Sequence, residues 1–350
     1  MSTSSKIARK GTKSLFKLAL FTSASVLLLK MLQGRHAVDF RGRVVAITGG
    51  SRGLGLNLAR QLATQGAKIA LIARDEAELQ RAKAEILALG AECLIVKADL
   101  GVQSEAERAI DSIAAHFGHL DALINSIGVM QIGPLEHMTQ ADFESAMKVN
   151  FWAGMWCARA AIPHLQKTGN GRIANIVSFG GQIAAPHMAP YAASKFAMKG
   201  FSDALRNEVA KDGILVTTVC PGPIRSGSHV QIRFKGQQAK EYRMLKTAVG
   251  VPFGAIEVDS AARLIIDAMK KGVPQLTFPF PIQLAVAGYT AFPNLAGAMV
   301  AFATRFAPAP TDESGDKAFA GHDLQDEVPP SRLTQLADRA VAANNESEKV

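Results

Sequence analysis

Cysteine is scarce in this chain. Three residues in 350, Cys93, Cys157 and Cys220, are odd in number, scattered and without Cys-x-x-Cys spacing. That excludes a disulfide framework and a thiolate metal cage, predicts no metal site, and points to a reducing compartment. Internal repeats are absent. So is charge from residue 272 to 304, where no Lys, Arg, Asp or Glu occurs. Pro274, Pro279, Pro281 and Pro293 interrupt that apolar stretch and argue against one straight membrane-spanning helix. It divides instead into two short amphipathic or re-entrant pieces, 282–292 and 295–306, that contact a membrane or cap a substrate pocket.

Basic charge is outnumbered at the C-terminal end and concentrated at the other. Net charge is +9, of which residues 1–43 carry +8 and residues 307–350 carry −5. A basic arm outside the central domain argues against a nucleic-acid-binding core and for an anionic membrane surface. Residues 15–32 are largely apolar, with Lys17 and Lys30 near the ends. Eighteen helical residues reach about 27 Å, near the thickness of a hydrocarbon core. A span or interfacial anchor is the expectation. A cleaved targeting signal or a helix packed on the domain are the alternatives. From residue 307 onward Pro, Asp, Glu, Ser and Asn dominate, which predicts a polar, mobile tail.

Against these absences stands one dense stretch, Val44-Val45-Ala46-Ile47-Thr48-Gly49-Gly50-Ser51-Arg52-Gly53-Leu54-Gly55. Its first half has the composition of a strand buried on both faces. Glycines then crowd a turn, and helical spacing follows. A strand, a glycine turn and a helix start aim backbone N–H groups at an anion, and a Cβ there would block close approach of a pyrophosphate. Apolar runs at 44–48, 68–73, 93–98, 122–125, 172–178, 215–220 and, more weakly, 273–278 alternate with helical patterns. That alternation is the signature of a parallel sheet with crossover helices. The segments are 1–40 (basic arm and apolar helix), 41–278 (the α/β domain), 279–306 (apolar) and 307–350 (tail).

Two further groupings carry chemistry. Ser178 ends the run 173–177 at the carboxyl edge of a strand, where ligands bind in open α/β sheets. Tyr191 and Lys195 lie four residues apart in a helical segment opened by Pro190, on one face. A phenol with a pKa near 10 is a poor base at neutral pH, and a neighbouring ammonium would lower it. Tyr242 and Lys246 repeat the spacing without a strand-end serine before them, and are expected to lie on an exposed or mobile lid helix.

The spacing Thr48-Gly49-x-x-x-Gly53-x-Gly55 with the later Tyr-x-x-x-Lys resembles the short-chain dehydrogenase/reductase superfamily over about residues 43–278. The resemblance implies a doubly wound, Rossmann-type α/β fold of about seven parallel strands with helices on both faces. It implies a cofactor site of Thr48, Gly49, Ser51, Arg52, Gly53, Leu54, Gly55, Arg74, Asp99, Leu100, Asn125, Gly128, Tyr191, Lys195, Pro221, Gly222, Ile224 and Ser226. Its catalytic set would be Asn150, Ser178, Tyr191 and Lys195. Tyr191 would be the acid/base, Ser178 would orient the substrate oxygen, Lys195 would hold the nicotinamide ribose while tuning Tyr191, and Asn150 would support a proton relay. Ala73 stands where NAD-preferring members place an acid, and Arg74 and Arg52 would meet a 2′-phosphate, so NADP(H) is expected over NAD(H). Asp99-Leu100 matches the adenine contact, although a turn or N-cap role suits Asp99 equally. Ser126 and Ile127 depart from the family's Asn-Asn-Ala-Gly, and Ser226 from its usual threonine.

The expected reaction is hydride exchange with a carbonyl or alcohol carbon, with NADPH-dependent ketone reduction preferred. The lid, residues 225–251, mixes apolar residues with Arg233, Lys235, Lys240, Arg243 and Lys246. It suits a membrane or an anionic lipid head, or is simply solvated. Together with the apolar flanks it points to a sterol- or lipid-like substrate and a membrane-associated protein with its catalytic domain in the cytoplasm, a soluble cytoplasmic form being the alternative. A soluble 3-oxoacyl-carrier-protein reductase and a non-catalytic nucleotide sensor are the competing functions, and a homodimer or tetramer follows only by analogy. Trp152 and Trp156 share a helix face suited to packing or a subunit contact.

Overall fold

A computed structural model describes residues 37–347; the apolar segment 15–32 lies outside them. Seven parallel strands form the central sheet: β1 (Val44–Thr48), β2 (Lys68–Ala73), β3 (Cys93–Lys97), β4 (Ala122–Asn125), β5 (Arg172–Ile176), β6 (Leu215–Pro221) and β7 (Gln275–Phe278). Their spatial order is β7-β6-β5-β4-β1-β2-β3. The chain winds outward from β1 in one direction and then in the other, the doubly wound arrangement that the alternating pattern predicts. Every strand run read from the sequence forms, including the weak seventh.

The composition of β1 explains its place. Val45 and Ile47 pack into one core with helices Gly53–Thr64, Glu76–Ala88 and Val258–Lys271. Val44 and Ala46 pack into the other, with helices Gln103–Phe117, Ala153–Thr168 and Ala189–Val209. Apolar side chains of period two on both faces leave the strand no solvated side. Register follows: Val44 lies beside Lys68, and Val45 beside Ala122. Because the strands are parallel, Thr48, Asn125, Ser178 and Pro221 all emerge at one carboxyl edge.

Past β7 the chain forms two short helices, Phe280–Ala291 and Pro293–Ala303, and no residue of either is buried. The segments Phe280–Ala291 and Pro293–Phe306 are bent by 118°. No single described helix is long and apolar enough to cross a membrane. The base touches the domain, where Ile282 abuts Gly222 and Gln283 donates to the Thr277 carbonyl at 2.7 Å.

The tail is not mobile over its described part. Phe319–Ala320 pairs antiparallel with Arg233–Phe234, and Leu324 and Val328 bury against Tyr242 and Phe234. Helix Gln335–Ala343 packs beside helix Gln238–Gly250. Average composition misleads here because a few well-spaced apolar residues suffice when a preformed edge strand and helix face receive them. The lid expectation changes with it. Tyr242 is 0% and Lys246 1% exposed, and Lys246 Nζ meets Asp338 at 2.9 Å and donates to the Val328 carbonyl at 3.1 Å. Tyr242-x-x-x-Lys246 is thus a buried tail anchor rather than an exposed lid face.

Candidate active site

The glycine turn is built for close approach. Gly49 and Gly53 adopt left-handed backbone, at φ +64° and +56°. A Cβ on Gly55 would stand 2.1 Å from the Gly49 carbonyl oxygen, so the helix can start against the loop only if residue 55 lacks a side chain. Thr48 Oγ1 accepts from the backbone N–H of Ser126 at 3.1 Å and of Ile127 at 3.3 Å, tying the β1 turn to the β4 turn. Leu54 packs on the core beneath.

Ser178 lies two residues beyond β5, its Oγ accepting from the Gly180 N–H at 3.0 Å. Tyr191 and Lys195 sit on the first turns of helix Ala189–Val209, with Pro190 at its start. Lys195 is buried, donates to the Ile176 carbonyl at 3.2 Å, and leaves only 3.3 Å between its Nζ and a Cβ placed on Gly128. Burial pushes its ammonium down to about 8. The phenol of Tyr191 moves the other way. Burial raises its pKa and a hydrogen bond with Ser178 only partly opposes the rise. The expected lowering by Lys195 does not appear, because Nζ turns to the Ile176 carbonyl and stands 5.8 Å from the tyrosine ring centre. Ser178 and Tyr191 together can present two O–H donors to one oxygen.

Asn150 sits in a π-helical turn, Lys148–Trp152, inserted between two α-helices. Such turns re-aim a side chain within an otherwise continuous helix. Its amide is spent on protein partners: it donates to the Val129 carbonyl at 2.9 Å and to Ser194 Oγ at 2.9 Å, and accepts from the Val129 N–H at 2.8 Å. Ser194 Oγ in turn donates to the Tyr191 carbonyl. Asn150 therefore clamps the β4 loop to the tyrosine helix; a relay role for its side chain would have to displace these bonds. Asn125 likewise donates to the Gly154 carbonyl at 3.1 Å and to Asn175 Oδ1 at 2.9 Å.

The remaining residues lie along the same edge. Asp99 accepts from the Gly101 N–H at 3.0 Å and Lys148 Nζ at 3.2 Å; burial would raise its carboxyl, but these contacts outweigh it and hold it below the ordinary range. Leu100 is buried next to it. Pro221 ends β6, and the Gly222 N–H donates to the Phe278 carbonyl at 2.7 Å. Ile224 belongs to a two-residue parallel pair with Ile256, and Ser226 flanks Gly53.

The two arginines assigned to a 2′-phosphate differ. Arg74 is exposed. Arg52 is engaged, with Nη1 on Glu78 Oε1 at 3.0 Å and Nε 3.4 Å from Glu346 Oε2, while Ser51 Oγ donates to Glu78 Oε2 at 2.7 Å. Sequence reasoning considered Glu78 as a partner for Arg74 rather than Arg52 and missed Glu346, which lies 294 residues from Arg52 with no motif to announce it. Of the five lid cations, Lys235 is buried on Asp142 at 2.7 Å and Lys246 on Asp338, which leaves a weaker basic face than the sequence suggested. Trp152 and Trp156 stack at 5.1 Å. Among the described residues no group of three or more His, Cys, Asp or Glu could hold a metal ion.

A glycine cradle at the end of β1, with a hydroxyl, a phenol and an ammonium at the end of β5, defines a dinucleotide-dependent oxidoreductase site on an open α/β sheet. The short chain dehydrogenase family pattern matches residues 43–236, and the chain belongs to that family. It is 33% identical over 255 residues to 11-beta-hydroxysteroid dehydrogenase A of Sesamum indicum, covering 72% of each chain. It is 36% identical over 206 residues to a dehydrogenase/reductase SDR family protein 7-like from Anopheles gambiae, covering 57% of this chain and 65% of that protein. Among solved structures, a variant of actinorhodin polyketide ketoreductase with NADPH superposes at a TM-score of 0.60 and 25% identity, covering 69% of this chain and 97% of that one. The protein is therefore an enzyme, an oxidoreductase that uses a nicotinamide cofactor.

Proposed function

We propose that the protein is an NADPH-dependent reductase of ketones on a hydrophobic, steroid- or lipid-like substrate, working at a membrane surface. The observation that carries this reading is the convergence of Ser178, Tyr191, Lys195 and Gly128 at one strand edge. Gly49 and Gly55 let the turn pack against its own backbone, and Gly53 leaves bare backbone on the outer face, where the Glu346 carboxyl lies and a pyrophosphate would fit. When bound, the nicotinamide cofactor supplies the hydride. Tyr191 donates its phenolic proton to the substrate oxygen, and Ser178 Oγ–H holds that oxygen as charge develops. Lys195 lies between the tyrosine helix and Gly128, positioned to bind the ribose beside it. Asn150 is a positioning residue, holding the β4 loop and the tyrosine helix in register.

The hydrophobic substrate is supported by the steroid dehydrogenase relative and by the apolar hairpin rooted beside Gly222, which exposes Phe292, Leu295 and Met299 by more than three-fifths. Helices with no buried face suit a lipid interface, and three free thiols suit the cytoplasmic side. The preference for NADPH draws support from the ketoreductase neighbour and from exposed Arg74. A second reading is a keto substrate delivered on an acidic carrier protein, for which the thinned basic face is a poor match. Screening keto-steroids, keto-lipids and carrier-bound ketoacyl groups with NADPH and NADH tests both. Tyr191→Phe should reduce turnover by about 10²- to 10⁴-fold with cofactor affinity little changed; full activity in that variant would refute the assignment.

A further inference from the structure

We propose that the C-terminal residues 344–346 form an intramolecular plug in the dinucleotide cradle, and that a dinucleotide binds only by displacing it. The inference rests on the glycine turn being the cofactor cradle. Three sets of contacts carry it. First, the Gly53 N–H, the donor that a helix start offers to an anion, is occupied by the Asn344 carbonyl at 2.9 Å. Second, the Glu346 carboxylate lies on the bare face of the loop, its Oε1 2.8 Å from where a Gly53 Cβ would stand. Its Oε2 faces Arg52 Nε at 3.4 Å. The Glu346 carboxyl, on the glycine turn beside a guanidinium, thus fills the space that such a turn offers to a phosphate.

Third, the turn is built rather than laid down loosely. Asn345 adopts a left-handed φ of +59°, donates to the Ser51 carbonyl at 2.8 Å and accepts from Arg81 Nε at 3.0 Å. Arg60 donates to the Ala343 carbonyl at 3.2 Å, and the Glu346 N–H returns to the Val341 carbonyl at 3.0 Å. Helix Gln335–Ala343 stays anchored through Asp338 and Lys246. Only residues 344–346 must leave the turn, and the anchored helix keeps them at high effective concentration. The hold is also limited, because Glu346 Oε2 meets Arg52 only as an ion pair at 3.4 Å, without hydrogen-bond geometry. A pyrophosphate offers more charge to the same amides and can win the exchange.

Asn345→Val, in the full chain, removes two side-chain hydrogen bonds and puts a β-branched residue at positive φ, without altering a cradle atom. NADPH affinity, read by fluorescence titration, should tighten about tenfold, the scale of one such backbone and hydrogen-bond penalty. In the unmodified chain, hydrogen exchange should show NADPH protecting Gly53 while the Glu346 amide loses protection. Unchanged affinity in the variant, with the Glu346 amide still protected under saturating NADPH, would overturn the plug and leave the cofactor reading intact. Binding of neither NADPH nor NADH by either chain would overturn the cofactor reading, and the plug with it.

Discussion

Acid should close the cradle. Free in solution, a glutamate carboxyl titrates near 4.3. In the docked tail, burial pushes that of Glu346 up to about 7; Arg52 opposes the rise, Glu78 adds to it, and the hydrogen bond with Gln231 opposes it. The charged groups around it are Arg52 from the loop and Glu78 from helix Glu76–Ala88, with His322 behind Gln231 at 3.1 Å. Arg60 and Arg81 hold the adjoining residues 343–345. Since the docked pKa lies above the free one, docking takes up a proton, and its advantage is lost as pH rises through about 7. From pH 8 to pH 6 the docking constant should rise about tenfold, so NADPH should bind about tenfold more weakly at pH 6. Titration at pH 6, 7 and 8 at constant ionic strength measures this. Glu346→Gln, a neutral mimic of the protonated acid, should lose that component and bind weakly throughout, and the difference between the two chains removes the titration of the cofactor's own phosphate. Equal slopes in both chains, or tighter binding by the unmodified chain at pH 6, would refute the reasoning.

Two further expectations concern other parts of the molecule. Lys195 is a buried ammonium pushed down to about 8 from 10.5, a difference equivalent to about 3 kcal/mol of unfavourable burial at neutral pH; Lys195→Met should therefore abolish turnover yet raise the melting temperature of the cofactor-free protein, and a lower one would show that the bond to the Ile176 carbonyl outweighs the burial. For the hairpin, a Leu295→Trp reporter should be quenched by vesicles of brominated lipid beyond the signal of the native tryptophans. No added quenching would remove the hairpin from the membrane.

Local pattern alone determined the sheet. Strands buried on both faces need continuous β-branched runs, and a helix can begin against a phosphate loop only where residues such as Gly55 lack a Cβ, so fold, glycine cradle and Tyr191–Lys195 spacing were all written in consecutive residues. The family motifs then placed Ser178 and Gly128 near that pair. Tertiary structure alone decided how these groups are charged and who touches them. Asn150 aims where it does because of a π turn without a compositional signature, and Tyr191 is raised rather than lowered because burial dominates once Lys195 turns to the Ile176 carbonyl. The tail read as mobile because composition averages over residues, whereas docking depends on where Phe319, Leu324, Ala337 and Glu346 meet surfaces made far earlier in the chain, from Phe234 and Tyr242 back to Arg52. Such meetings are set by the packed sheet, and no local window of the chain contains both partners.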